Sequence, residues 1–290
     1  MPAAFVLLWS TGFIGAKLGA PDAEPLTFLT IRFALAGLIF LAVVLLWRAP
    51  WPASWREAGH IAVAGALIHG FYLGGVFAAI DLGVEAGVTA LIVGIQPLLV
   101  GLAAGPLLGE RVTARQWLGL LLGLAGVILV VWRKLALGLG TPAGMALAVF
   151  GLFSLTAATL YQKRFCADMP LRSGNVIQFA AGTLTTGIGA LLFERFAVTW
   201  SGSFVFALAW LVLVLSVGTF TLLYVLIRRG AAAKVASLFF LVPPATALIA
   251  WALFGERFGP LGLAGMALAA IGVALVNLAS DSPPASPQKS

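Results

Sequence analysis

Residues 87–130 read GVTALIVGIQPLLVGLAAGPLLGERVTARQWLGLLLGLAGVILV, and this stretch decides the fold. Two apolar runs flank the short charged turn at Gly109-Glu110-Arg111. Each run is long enough to cross about 30 Å of hydrocarbon as a helix, which takes about 20 residues. Neither run alternates polar with apolar side chains, so both predict helices and not strands of a barrel. Outward from here, Gly, Pro and charged residues punctuate similar runs along the whole chain. The pattern predicts ten helices at 3–19, 26–47, 58–80, 84–107, 113–132, 142–162, 173–193, 204–227, 232–254 and 260–279.

Composition agrees. The 290 residues are 61% hydrophobic and 9% charged, with a mean hydropathy of +1.08. A soluble domain carries about 25% charged residues, and this chain cannot cover a soluble surface. The single Cys166 excludes a disulfide scaffold. What remains is an all-α polytopic membrane protein. The first run begins at residue 3 with no basic segment before it, so it reads as a retained helix and not a cleaved signal.

The two halves resemble each other. Gly109-Glu110-Arg111 matches Gly255-Glu256-Arg257 at an offset of 146 residues, and Pro97 matches Pro243 at the same offset. Ala90/Ala236, Gly119/Gly265, Gly126/Gly272, Val127/Val273 and Val130/Val276 follow in register. The reading is two five-helix repeats, 1–139 and 140–280, with a polar, Pro-rich, disordered tail at 281–290. Five helices per repeat is an odd number, so the second repeat enters the membrane from the opposite side. Inverted pairs of this kind recur in secondary transporters, with the substrate site where the repeats meet.

Loop charges set the orientation. With the N-terminus inside, 11 Lys and Arg fall in cytoplasmic segments and 5 outside, while Arg32 lies within a helix. Both termini are therefore expected in the cytoplasm. The net charge of +7 is an address on one membrane face and not a nucleic-acid footprint.

The quoted run resembles the hallmark of the EamA repeat of the drug/metabolite transporter superfamily. Its second copy is SLFFLVPPATALIAWALFGERFGPLGLAGMALAAIGVALV at 237–276. LLWSTGFIGAK at 7–17 and HGFYLGGVFAAIDLG at 69–83 fit the same family. Within that superfamily the chain resembles bacterial amino-acid and metabolite exporters of the YddG type. The resemblance implies ten helices, both ends cytoplasmic, and outward movement of small metabolites across the bacterial inner membrane.

Polar groups inside spans are functional candidates, because burial there is costly. Lys17 and Arg32 lie near the outer ends of their helices; each either snorkels to the interface or faces a cavity and attracts a carboxylate. Arg32, roughly 9 Å inside the second helix, could also pair with Asp22 or Glu24. His69, with Tyr72 and Phe77 on following turns, reads as cavity lining, as a proton-carrying group or as a satisfied core residue. Trp9 and Phe13 share a face of the first helix at i, i+4 spacing, with Ser10 between them. The family motif places an aromatic–polar pair there. Gln96 precedes Pro97, whose ring removes a backbone donor; it is either a polar station or the group that satisfies the kink. Pro243 and Pro244 repeat the kink. Tyr161, Gln178 and Tyr224 carry groups long enough to reach across helix gaps. Glu110 and Glu256 are expected to cap the next helix or to pair with arginine locally. Trp47, Trp51, Trp55, Trp132 and Trp200 sit by loops, as interfacial anchors do.

The chain has no Walker A sequence, no HExxH, no GxSxG and no metal cluster in its two His and one Cys. Neither a cofactor nor a resident metal is expected. The function expected is export of small metabolites, aromatic or other neutral amino acids foremost, by alternating access through a central cavity. A permeation channel and an intramembrane enzyme are the alternatives. The partners expected are lipid and the small-molecule substrate, and one chain suffices as a monomer.

Overall fold

The computed structural model describes residues 1–84, 86–135, 140–254 and 260–278. For 13, 14, 16, 17, 20, 86, 87, 133–135, 250, 251, 253 and 254, only the backbone is described. The elements are α1 (Pro2–Gly19), α2 (Pro25–Leu46), α3 (Trp55–Asp81) and α4 (Val88–Leu108). They continue as α5 (Ala114–Leu135), α6 (Pro142–Phe165), α7 (Leu171–Phe193) and α8 (Gly202–Arg229). The chain ends with α9 (Ala232–Ile249) and α10 (Pro260–Leu278). Among the described residues, nine helices are long and apolar enough to cross a membrane, and α1 carries a shorter apolar stretch, Pro2–Gly12. The helices are apolar on all sides, as helices in lipid are.

Contacts sort the connections onto two faces. On one face, Glu194 accepts from the Leu26 and Thr27 backbone N–H groups, both at 2.7 Å, and caps α2. Ser201 Oγ donates to Asp22 and Thr141 Oγ1 to Leu82 O on the same face. On the other face, Ser173 Oγ donates to Pro50 O. Lys163 Nζ donates there to Ile227 O and Gly230 O. This second face holds ten of the described Lys and Arg, and we call it the basic face.

Glu110 also lies on the basic face. It accepts from Ala232 N at 2.8 Å and so caps α9, a helix 122 residues away, where a cap on the next helix was one of the two expectations. The next helix, α5, is started by Thr113 and Gln116. Gln116 Oε1 accepts from Thr113 N and Thr113 Oγ1 accepts from Gln116 N, a reciprocal cap. Glu256, its counterpart in sequence, lies outside the described residues, as does the 281–290 tail.

Positions 146 residues apart carry the same backbone devices. In Ala66–Leu73 of α3 and in Leu211–Thr219 of α8, the hydrogen bonding widens from i→i+4 to i→i+5. In α4 the helix breaks at Gly94–Ile95 and restarts at Gln96, with Pro97 in the new first turn. In α9 a tight turn over Leu238–Leu241 precedes the restart at Val242, again followed by Pro243. A proline is tolerated there because a first-turn N–H has no helical acceptor to lose.

Helices α5 and α10 cross backbone to backbone. A Cβ on Gly119 would lie 2.6 Å from Gly272 O, and one on Gly126 would lie 2.7 Å from Gly265 O. Gly119 is the sequence counterpart of Gly265, and Gly126 that of Gly272, so exchanging the halves turns one contact into the other. The helices α2 and α7 also meet at counterpart positions, through side chains, with Phe33 and Phe179 ring to ring at 6.0 Å. Both crossings run antiparallel.

Candidate functional site

A cavity with about 910 Å³ of atom-free space, part of it open, lies between α1, α2, α3, α4, α8 and α9. It extends toward the face opposite the basic one. Val76, Phe77 and Ile80 of α3 and Thr89, Ala90 and Val93 of α4 form its upper walls. The break in α4 brings Gly94 backbone into that wall, and the restart of α9 brings in Val242 and Pro243.

Its deep end is aromatic. Trp9 meets Phe220 and Phe239 with ring centroids 5.0 Å apart in both cases, and Phe5 backs Trp9 at 5.3 Å. Edge and tilted contacts of this kind add about 0.5–1.5 kcal/mol per pair beyond burial. This cluster closes the cavity toward the basic face.

One fixed charge stands in the wall. Arg32 of α2 is 4% exposed. Its Nε donates to Ser216 Oγ at 3.0 Å, and its guanidinium carbon lies 5.6 Å from the Phe33 ring centre. Among the described residues no acidic group pairs with it. Asp22 takes Ser201 Oγ, and Glu24 takes the backbone N–H groups of Arg195 and Ala197. Of the readings open for Arg32, the structure shows the cavity-facing one: a hydroxyl holds Nε, and the residue lines the cavity. The described carboxylates all lie at helix ends or in connections.

The expected residues divide into groups. Trp9, Arg32, Tyr72, Phe77 and Pro243 line the cavity together. His69 and Tyr224 lie behind Phe220. His69 Nε2 and Tyr224 Oη are 3.1 Å apart, and the His69 ring lies 4.6 Å from Phe220 and 4.4 Å from Phe179. Ser10 joins α1 to α9 outside the wall, donating to Val6 O at 2.7 Å and Val242 O at 3.3 Å. Gln96 Nε2 donates to Thr159 Oγ1 at 3.2 Å, and Gln178 Nε2 to Gln162 Oε1 at 2.8 Å, both toward the basic face. Tyr161 Oη is 2.7 Å from His60 Nδ1 at that end. Pro97 and Pro244 are buried at the two restarts. The side chains of Phe13 and Lys17 lie outside the described residues. Sequence reading did not single out Phe220, Phe239, Leu215, Thr89 or Gly94. Among 20 Phe in an apolar chain, nothing in the residue type marks Phe220 and Phe239 as facing the cavity.

The EamA-like transporter family model matches residues 3–132 and again 142–278. The chain belongs to the EamA-like transporter family. It is thus a multi-pass membrane transporter of the drug/metabolite superfamily. It is 26% identical over 285 residues to the uncharacterized inner membrane transporter YedA of Escherichia coli (strain K12), covering 98% of this chain and 92% of that protein. It is 28% identical over 284 residues to the uncharacterized transporter YvbV of Bacillus subtilis (strain 168), covering 96% and 90%. A solved crystal structure superposes with a TM-score of 0.78 at 24% identity, over 96% of this chain and 95% of that one.

Proposed function

We propose that the chain is a ten-helix secondary carrier exporting neutral amino acids, those with aromatic or large apolar side chains foremost, as the YddG-type likeness implies. Arg32 carries this reading. A buried cation without an acidic partner, set in an aromatic cavity, is matched by a substrate carboxylate on one side and an apolar body on the other. A charge in a span is costly unless something answers it, and a transported anion group answers it in each cycle.

Two inverted repeats, 1–139 and 140–280, form the carrier. The exchanged contacts at Gly119/Gly272 and Gly126/Gly265, and the paired wide turns and restarts, are what a two-fold axis in the membrane plane would generate. The basic face is cytoplasmic by the positive-inside rule, so both termini are inside, and the cavity faces outward from a bacterial inner membrane. The aromatic seal of Trp9, Phe220 and Phe239 favours a carrier over an open channel. The absence of a carboxylate from the described cavity wall favours facilitative transport over obligatory proton coupling.

The test is counterflow in proteoliposomes with labelled Phe, Trp, Leu, Glu and a nucleoside. Saturable, trans-stimulated flux of the neutral amino acids that persists without an imposed pH gradient is the expected result. Flux of none of them, or conductance without saturation, refutes the reading.

A further inference from the structure

The buried polar atoms left without a hydrogen bond are not scattered. Among the described residues they are His69 Nδ1, Gln96 Oε1, Asn175 Oδ1 and Gln178 Oε1. His69, Gln96 and Gln178 are wholly buried, at 0% exposure. An unpaired polar atom in such a place is costly, so four of them among neighbouring helices call for a reason.

Counterpart positions supply it. Ile31-Arg32-Phe33-Ala34 of α2 aligns with Ile177-Gln178-Phe179-Ala180 of α7 at the offset of 146. Gln178 is therefore the counterpart of Arg32, and each stands seven residues into its helix, about 10 Å from opposite faces. The cavity residue Val242 has Gln96 as counterpart, and the cavity residue Leu215 has His69. Three of the four unpaired atoms thus sit on the counterparts of cavity-lining residues. The fourth, Asn175, is one turn from Gln178 on α7. Thr159 and Gln162, one turn apart on α6, connect the group, holding Gln96 and Gln178 respectively. In the exchanged arrangement, α6, α7, α8, α9, α3 and α4 replace the six helices that wall the present cavity.

We infer that the half closed in this structure opens toward the basic face to form a second binding site, lined by Gln178, Gln96 and His69, that takes the ammonium end of a zwitterionic substrate. The chemistry follows from which atoms are unpaired. The Gln96 and Gln178 amide nitrogens are already donating, while their oxygens lack donors. Two acceptor oxygens suit a group that only donates, and His69 Nδ1 adds a third acceptor in the tautomer whose Nε2 donates to Tyr224 Oη. Arg32, which only donates, suits the carboxylate. The two half-sites are unlike because one repeat carries Arg where the other carries Gln. This inference rests on the amino-acid reading above for its ligand, but its geometry does not.

The experiment has two arms. In the first, Gln178→Cys, Gln96→Cys and Phe77→Cys are made in a Cys166→Ala background and labelled with a membrane-impermeant thiol reagent from each side. Thr159→Cys replaces any of the first two that fails to purify as a monodisperse species. Positions 178 and 96 should label from the face opposite to that which labels 77. Labelling of 178 and 96 from the same face as 77, or from neither, overturns the second cavity. In the second arm, Phe, N-acetyl-Phe and Phe-amide compete for labelled Phe counterflow from the basic side. N-acetylation should weaken competition at least tenfold in the unaltered protein, and this discrimination should shrink in Gln178→Leu and Gln96→Leu. If N-acetyl-Phe competes as well as Phe while Phe-amide does not, the ammonium site is refuted and the carboxylate reading stands. If no Phe counterflow occurs, the amino-acid reading and the ammonium assignment both fall, and the first arm still decides the cavity.

Discussion

Arg32 on α2 and Ser216 on α8 are joined by a single 3.0 Å hydrogen bond, and Ser216 lies within the widened turn of α8. The fixed charge of the cavity is thus tethered to the segment of α8 whose backbone bonding is the least regular. Removing the charge should abolish substrate capture. We expect Arg32→Gln to lower counterflow at least tenfold and Arg32→Lys to retain part of it, since a point charge lacks the planar fork. Ser216→Ala leaves Nε without its acceptor; a hydrogen bond to a charged group is worth about 1.5–3 kcal/mol, so affinity should change by roughly tenfold or more. Equal flux in all three variants at equal expression would remove Arg32 from the site.

The aromatic seal makes a separate prediction. Trp9→Ala deletes the ring shared by Phe5, Phe220 and Phe239. It should lower both thermal stability and counterflow, because the seal and a stacking surface go together. Trp9→Phe should retain more of each. Paired melting curves and flux measurements separate packing from transport: a variant with unchanged melting and lost flux assigns Trp9 to the substrate.

Glycines differ in what surrounds them, and stability should follow. A Cβ on Gly126 would lie 2.5 Å from Ala269 N, so Gly126→Ala must push α5 off α10. Overpacking typically costs about 1–3 kcal/mol. A Cβ on Gly59 meets nothing within 4 Å, and an exposed helical Gly→Ala change gains roughly 0.5–1 kcal/mol. Melting in detergent should therefore fall for the first variant and rise for the second.

Cys166, just beyond α6, is buried, and burial with Glu57 nearby pushes its thiol up to about 12. The thiolate is the reactive form, so at pH 7 to 9 almost none is present. We expect maleimide labelling of the folded protein to be negligible there and to rise only as pH approaches 12 or on unfolding. Rapid labelling at pH 7.5 in the folded protein would contradict the buried placement.

The helices were legible because lipid demands long apolar runs, and Gly, Pro and charge mark their ends. Arg32 was legible as a cavity candidate because a charge is out of place in a lipid-facing helix; Trp9 was marked by the family motif, and Tyr72 and Phe77 by their places on the turns after His69. The wide turns over Ala66–Leu73 and Leu211–Thr219 were not legible, since no residue type specifies i→i+5 bonding. Nor was the partner of Glu110, because a cap on Ala232 depends on which helix end arrives beside it and not on the local sequence. Phe220 and Phe239 were hidden among similar residues, and only packing distinguishes their faces. Gln96 and Gln178 were legible as polar stations, but their distance from the Arg32 cavity follows from depth along α4 and α7, which boundaries uncertain by a few residues blur.

The wide turns also constrain length. An α-helix advances about 100° per residue, and a wide turn holds one residue more than regular geometry needs. Deleting a residue from Ala66–Leu73 would let α3 relax to regular bonding while keeping its outer half near its present angular setting. Deleting one a turn later, beyond Leu73, would leave the wide turn and swing Phe77 and Ile80 away from the cavity by about 100°. Within these two helices, tolerance to shortening should therefore be confined to a single stretch in each, a pattern of permitted gaps that substitution scans alone would miss.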